Sequence, residues 1–139
     1  MDEAKRELVQ SWLLKASDDL AVARLLAKAS PPIPDVAIFH CQQAAEKALM
    51  GFLTYWDCRI ENTHHLGSLL EQAAEIEPCI DTWADAADHL MAYATEYCDP
   101  GTFLEPDEED IDEALDDAAC IVNQVLAWLP IPIPRLEEF

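Results

Sequence analysis

Four polar side chains lie within an otherwise apolar stretch and are the first candidates for chemistry. His40, Gln43, Glu46 and Lys47 span about two helical turns of the segment 35–57. Imidazole, carboxylate and ammonium groups held together can move protons or bind a charged ligand. Polar groups among apolar residues must otherwise bind one another. The pattern favours a buried network that fixes helix packing, with a ligand or partner site, for example for a nucleotide, as the alternative.

Arg59 and His64 are a second candidate pair. RNA cleavage without a metal needs a cation beside the developing negative charge and a group that transfers a proton near neutral pH. Both residues fall in a polar link between predicted helices, where Arg59 has the neighbouring Glu61 to balance it. We therefore interpret Arg59 as a loop residue, and a displaced ribonuclease site is the alternative.

Acidic residues and cysteines give no prediction of a metal site or a cofactor. Residues 105–117 hold nine carboxylates but lack the glycine and the alternation of a calcium-binding loop. They predict a solvated, negative helix start, with a partner-binding acidic face as the alternative. The five cysteines are widely spaced and contain no CxxC pair, so we expect reduced thiols that fill the core rather than zinc ligands or disulfides.

Charge and composition limit the classes of function. The chain has 139 residues, a net charge of −20 and 51% hydrophobic residues, as expected for one globular domain. Residues 60–139 hold 20 acidic side chains and one basic one, whereas residues 1–59 are nearly neutral. Such a surface repels phosphate, so direct binding to nucleic acid is not expected. The chain has no apolar run of membrane-spanning length and no leader pattern at residues 1–6, so we expect a cytoplasmic protein without a membrane partner.

The elements that position these residues are predicted to be helices. Apolar residues recur every three or four positions, the chain has only three glycines, and proline-containing links separate the periodic segments. The prediction is an all-α fold, an antiparallel up-down bundle of four long helices and one short helix over residues 1–129. A proline-rich, extended tail should follow over residues 130–139. The five predicted helices cover residues 2–29, 35–57, 65–76, 79–97 and 106–129.

Details of these helices can be predicted as well. The apolar stripe of the first helix should include Leu8 and Trp12, and that of the second helix should continue to Trp56. The second helix is rich enough in apolar residues to be central and buried on more than one side. Asp35 should cap this helix, and Pro106 should occupy the first position of the last one. The pair His64 and His65 should cap or pack the start of the short helix.

Five segments in chain order resemble the HEPN domain family, and together they span roughly residues 8–129. The most specific is FHCQQAAEKAL, which is similar to the second helix of HEPN domains. The segment WLLKASDDL looks like their opening helix, and THHLGSLL and YATEYCDPG are similar to two later family segments. The five segments are Trp12–Leu20, Phe39–Leu49, Thr63–Leu70, Tyr93–Gly101 and Glu113–Ala119.

The resemblance implies a helical bundle that forms a homodimer. It also implies either a metal-independent ribonuclease toxin or the companion of a small nucleotidyltransferase, in a toxin–antitoxin-like module. Ribonuclease members carry an Arg and, a few residues later, a His near the start of the last helix. Cys98 and Asp99 stand at that place here, and no histidine follows His89. The function implied is a non-catalytic binding or companion subunit with a nucleotidyltransferase partner, so the sequence favours a protein that is not an enzyme. A ribonuclease with a displaced site and a bundle that binds a nucleotide or small ligand are the alternatives.

Overall fold

The computed structural model describes residues 1–61, 65–97 and 106–132, and these residues form five α-helices and one 3-10 helix. No strand occurs in this part of the chain, and the prediction of an all-α bundle is confirmed. The side chains are described up to Tyr93 in the fourth α-helix. The helices are α1 (Glu3–Lys28), α2 (Pro34–Tyr55), α3 (Leu66–Ile76), α4 (Ala84–Tyr97) and α5 (Glu108–Trp128), and the 3-10 helix covers Pro78–Trp83.

The second helix, α2, lies at the centre of the bundle. It packs against α1, α3, α4 and α5, and its residues 44–46 and 48–53 are all buried. A helix that is buried on every side must be apolar all round, which is the pattern of this segment. The predicted central helix is therefore confirmed. The predicted stripe ends early, however, because Trp56 follows the last turn and is half exposed.

The core face of α1 agrees with the predicted stripe at Ala16, Leu20 and Ala23, but at the start of the helix it is turned by one residue. Val9 and Leu13 are fully buried, whereas Leu8 is half exposed and Trp12 is only partly covered. Leu13 fills the space beside Gly51 of α2, where an added Cβ would come within 2.9 Å of Leu13 Cδ2. Both Leu8-Val9 and Trp12-Leu13 are apolar doublets, so the periodicity alone fits either face. The close approach of α1 to α2 at Gly51 selects the one observed.

Two predicted helix starts are wrong by one or two residues. Pro34, not Asp35, opens α2, because its fixed φ suits the first helical position and its missing N–H costs nothing there. Pro106 lies outside α5. The helix begins after Asp107, whose carboxylate accepts the Asp110 N–H at 2.8 Å while Asp110 accepts the Asp107 N–H at 3.0 Å. This reciprocal capping satisfies two backbone donors, which proline cannot do.

The predicted helix 79–97 is divided into two parts. Pro78–Trp83 forms a 3-10 helix, and the α-helix begins only at Ala84. The indole of Trp83 stacks on that of Trp128, with ring centroids 5.3 Å apart and planes inclined by 19°. This contact joins the 3-10 helix to the last turn of α5.

The prediction that the cysteines are free thiols filling the core is confirmed only in part. Cys41 is buried in the core, and burial raises the pKa of its thiol to about 12. Cys58 is half-buried, but Cys79 and Cys120 are exposed, so the expectation that they fill the core is wrong. These four thiols are free, and Cys98 lies outside the described residues.

The chain leaves the helical conformation after α5, as the proline pattern predicts. Ile131 is nevertheless buried in the core, and the Gln10 side chain donates a hydrogen bond to the Pro132 carbonyl at 2.7 Å. These first residues pack back onto α1. Residues 133–139 of the predicted tail lie outside the described part, so a domain boundary at residue 129 stays a prediction.

Among the described helices, none combines the length and the apolar character needed to cross a membrane.

Candidate functional site

Asp19 of α1 joins two of the four polar residues predicted as a site on α2. One carboxylate oxygen contacts His40 Nδ1 at 2.8 Å, and the other accepts a hydrogen bond from Lys47 Nζ at 2.5 Å. Asp19 is only 8% exposed, and the side chains of His40 and Lys47 are each 26% exposed. These three residues, called the Asp19 cluster below, form a largely buried ionic contact between α1 and α2.

The other two predicted residues belong to an adjoining group on α2 itself. Glu46 is 2% exposed, and its two oxygens accept hydrogen bonds from the side-chain amides of Gln42 and Gln43, each at 3.3 Å. A buried carboxylate that receives donors on both oxygens is stabilised against desolvation. The geometry of these residues supports the interpretation as a packing network. A ligand site at His40, Gln43, Glu46 and Lys47 stays a prediction.

The hairpin of α1 and α2 explains how Asp19 reaches both partners. A short proline-rich link over residues 29–33 reverses the chain, so the middle of α1 lies opposite the first half of α2. His40 and Lys47 are seven residues apart, two turns along one face of α2. Asp19 fits between them, with one oxygen for each.

Asp19 is the residue that the sequence analysis missed. It lies three residues after Ala16 and four before Ala23, both fully buried, and so falls on the core face of α1. A single acid on such a face requires a partner from another helix. That position, together with the cations on α2, was the available signal.

The alternative ribonuclease pair, Arg59 and His64, stays a prediction, because His64 lies outside the described residues. Arg59 is exposed, and its carbonyl accepts a hydrogen bond from Gln72 Nε2 at 2.9 Å. Gln72 also accepts the backbone N–H of Glu61, at 3.2 Å. The ion pairs found among the described residues do not include the expected contact between Arg59 and Glu61. Gln72 of α3, rather than an ion pair, therefore holds this link.

His65 confirms the capping role predicted for the start of α3. Its Nδ1 accepts the backbone N–H of Ser68 at 3.0 Å.

A second polar group, which the sequence analysis did not predict, lies between α4 and α5. His89 Nδ1 is 3.3 Å from Glu113 Oε1 and 3.5 Å from Asp117 Oδ2. Tyr93 donates a hydrogen bond to the other oxygen of Glu113 at 2.8 Å. Desolvation raises the pKa of Asp117 above its usual value, with Glu113 acting in the same direction and His89 opposing it. These are the only grouped histidine and carboxylate side chains of the described residues with the spacing of metal ligands.

The arrangement of helices and the family comparison agree. The sequence model of the HEPN domain family matches residues 9–128. This chain belongs to the HEPN domain family. An archaeal HEPN homologue of known crystal structure is similar, with a TM-score of 0.68 and 29% sequence identity. The match covers 86% of this chain and 95% of the archaeal one, and no curated protein sequence matches. The resemblance drawn from the five sequence segments is confirmed.

Replacing Asp19 by asparagine should destabilise this HEPN domain by about 1–3 kcal/mol, because Lys47 loses its charged partner in a poorly solvated place. Asp57→Asn is the matched control. Asp57 pairs with Lys5 at 3.0 Å but has a 77% exposed side chain, and asparagine tolerates its positive φ of 58°. The control should cost less than about 1 kcal/mol. Urea unfolding measures both, and equal losses in the two variants would contradict the structural role of the Asp19 cluster.

Proposed function

We propose that this HEPN domain is a non-catalytic binding subunit, which forms a homodimer and acts as the companion of a nucleotidyltransferase. It does not cleave RNA. The observation that carries the proposal is the start of α5, where related ribonucleases concentrate their catalytic residues and where this chain has carboxylates.

The N-terminus of α5 is occupied by the protein's own negative charges. Asp107 caps it, and Glu108, Glu109 and Asp110 fill its first turn. The N–H groups and the positive end of a helix dipole would otherwise attract a phosphate. Here side-chain carboxylates hold those donors and repel a phosphodiester. The first turns of α5 therefore work against binding of RNA.

The groups that would perform the cleavage are also missing from the amino-acid sequence at that place. Cys98 and Asp99 stand where the family resemblance puts the catalytic Arg and its neighbour, and the sequence has no histidine after His89. Without the cation, charge developing on the phosphate is not stabilised. Without the imidazole, proton transfer near neutral pH lacks its usual group.

An apolar end of the α1–α2 hairpin supports a role in protein contacts. Five large apolar side chains flank the link between the helices and are 36–71% exposed. Exposed apolar groups gathered on a small domain are typical of an interaction surface. They lie in the nearly neutral half of the chain, so two copies can meet there without bringing two acidic halves together. These residues, called the apolar end below, are Val22, Leu25, Ile33, Val36 and Phe39.

Purified protein should leave single-stranded RNA intact in metal-free buffer at low salt, because Cys98 and Asp99 stand where the family resemblance puts the catalytic Arg and its neighbour. Gel electrophoresis of a labelled RNA provides the measurement, and the double variant Arg59→Ala/His64→Ala provides the control. Cutting by the wild type that disappears in the double variant would contradict the proposal and assign the activity to the alternative pair. Cutting that follows the protein peak through two chromatography steps and survives in the double variant would also contradict it.

The wild-type chain of 15.6 kDa should have twice that mass in solution. The double variant Leu25→Asp/Phe39→Asp should be a folded monomer, because it places charge on both helices of the apolar end. Leu8→Asp is the control: Leu8 is also half exposed but lies at the other end of α1, so this variant should stay dimeric. Light scattering gives the masses and circular dichroism the folded state. A monomeric wild type, or a dimer lost only in Leu8→Asp, would contradict this interface.

A nucleotidyltransferase partner should bind through basic residues, because residues 60–139 carry a net charge of −19. Co-expression with the nucleotidyltransferase encoded beside this chain should give a complex in gel filtration that weakens as salt rises. The double charge-neutralising variant Glu108→Gln/Asp112→Asn should weaken it further, whereas Leu8→Asp should not. The proposal of a nucleotidyltransferase partner is contradicted if no such complex forms or if no nucleotidyltransferase gene lies beside this one.

A further inference from the structure

Two pairs of polar residues face each other across α4 and α5. His89 and Tyr93 are one turn apart on α4, and Glu113 and Asp117 are one turn apart on α5. The imidazole and both carboxylates turn toward one point, since one ligand atom from each lies within 4.8 Å of the others. Residues four apart on a helix share a face, so each helix presents this pair without distortion.

The two distances from His89 Nδ1 suit an ion pair and also suit two ligands of one metal ion. His89 Nδ1 lies 3.3 Å from Glu113 Oε1 and 3.5 Å from Asp117 Oδ2, beyond the usual range of about 2.7–3.2 Å for N–H···O bonds. Ligands held at about 2.0–2.2 Å from a tetrahedral ion are separated by about 3.3–3.6 Å. The observed separations match that spacing.

The surroundings orient the carboxylates. The Tyr93 hydroxyl holds one oxygen of Glu113 at 2.8 Å and thereby leaves the other facing His89. Such a contact to the outer oxygen of a carboxylate orients it for a metal. Asp117 Oδ2 is inaccessible to solvent and makes no hydrogen bond within the described part of the chain. The sequence contains no lysine or arginine between Arg59 and Arg135.

We propose that His89, Glu113 and Asp117 bind one divalent transition-metal ion of the zinc type. One imidazole nitrogen and two carboxylate oxygens suit Zn²⁺, which accepts both kinds of ligand. The ion joins α4 to α5 and offsets the negative charge between them. His89 and Glu113 are about half exposed, so the site opens to solvent and leaves a position for water or for a ligand from a partner.

Calorimetric titration of the purified, reduced protein with Zn²⁺ tests the site. We expect one ion per chain. Binding should weaken at least about tenfold in His89→Ala and in Glu113→Gln/Asp117→Asn. The matched control is Glu71→Gln/Glu75→Gln, which removes the same charge at the same spacing from exposed positions of α3. It should bind Zn²⁺ like the wild type.

A second measurement separates a specific site from general attraction of cations by the acidic surface. Zn²⁺ should raise the thermal unfolding midpoint of the wild type and of the control variant, but not that of His89→Ala, because binding to the folded state alone stabilises it. Circular dichroism checks that each variant is folded. The proposal is overturned if Zn²⁺ does not bind the wild type, if all four proteins bind it equally, or if the control loses binding as much as the site variants.

Discussion

The burial of α2 on every side is the constraint on which the rest of the structure depends. Its neighbours are α1, α3, α4 and α5, so the apolar residues of its buried part, residues 44–53, pack against other helices. Every polar residue there needs a partner too. Asp19 of α1 is the partner of Lys47. The side-chain amides of Gln42 and Gln43, which belong to α2 itself, are the partners of Glu46. Small residues let the neighbouring helix come close, most clearly at Gly51 against Leu13. A polar stretch in a central helix is thus compatible with a stable core.

The charge distribution divides the chain into a nearly neutral part, residues 1–59, and a strongly negative part, residues 60–139. The hairpin of α1 and α2 belongs to the nearly neutral half and carries the apolar end, which is suited to contact with protein. The remaining helices carry almost all of the negative charge, and α5 uses carboxylates even for its own cap. A surface of this kind is attracted to basic partners and to cations and is repelled by RNA. The proposed non-catalytic role, the proposed basic partner and the proposed metal site all depend on this one property.

Sequence periodicity was sufficient to predict an all-helical fold. It also predicted the central position of α2, because a helix that is buried all round has a dense apolar pattern. It could not select the face at the start of α1, where Leu8-Val9 and Trp12-Leu13 are apolar doublets and the choice depends on contact with α2. The start of α5 was predicted wrongly because two preferences for a helix start compete there. Pro106 suits the first helical position, but Asp107 caps the helix instead.

The candidate sites show the same limit. The polar residues of α2 were visible because they interrupt an apolar helix, but Asp19 lies 21 and 28 residues away from its two partners. His89 is likewise separated from Glu113 and Asp117 by most of α4, a link and the first turn of α5. Such groups form only after the helices have packed. Spacing within one helix can mark a buried acid such as Asp19, but it does not identify the partners on another helix.

Native-state amide hydrogen exchange tests most directly the claim that α2 is the centre on which the other helices depend. Amides of residues 44–53 should exchange most slowly, with protection equal to the free energy of global unfolding measured in urea, because they are released only when the whole bundle opens. Amides of α3 and of the 3-10 helix should exchange earlier through partial opening. Exchange of α2 as fast as that of α3, or protection well below the global value, would contradict the account.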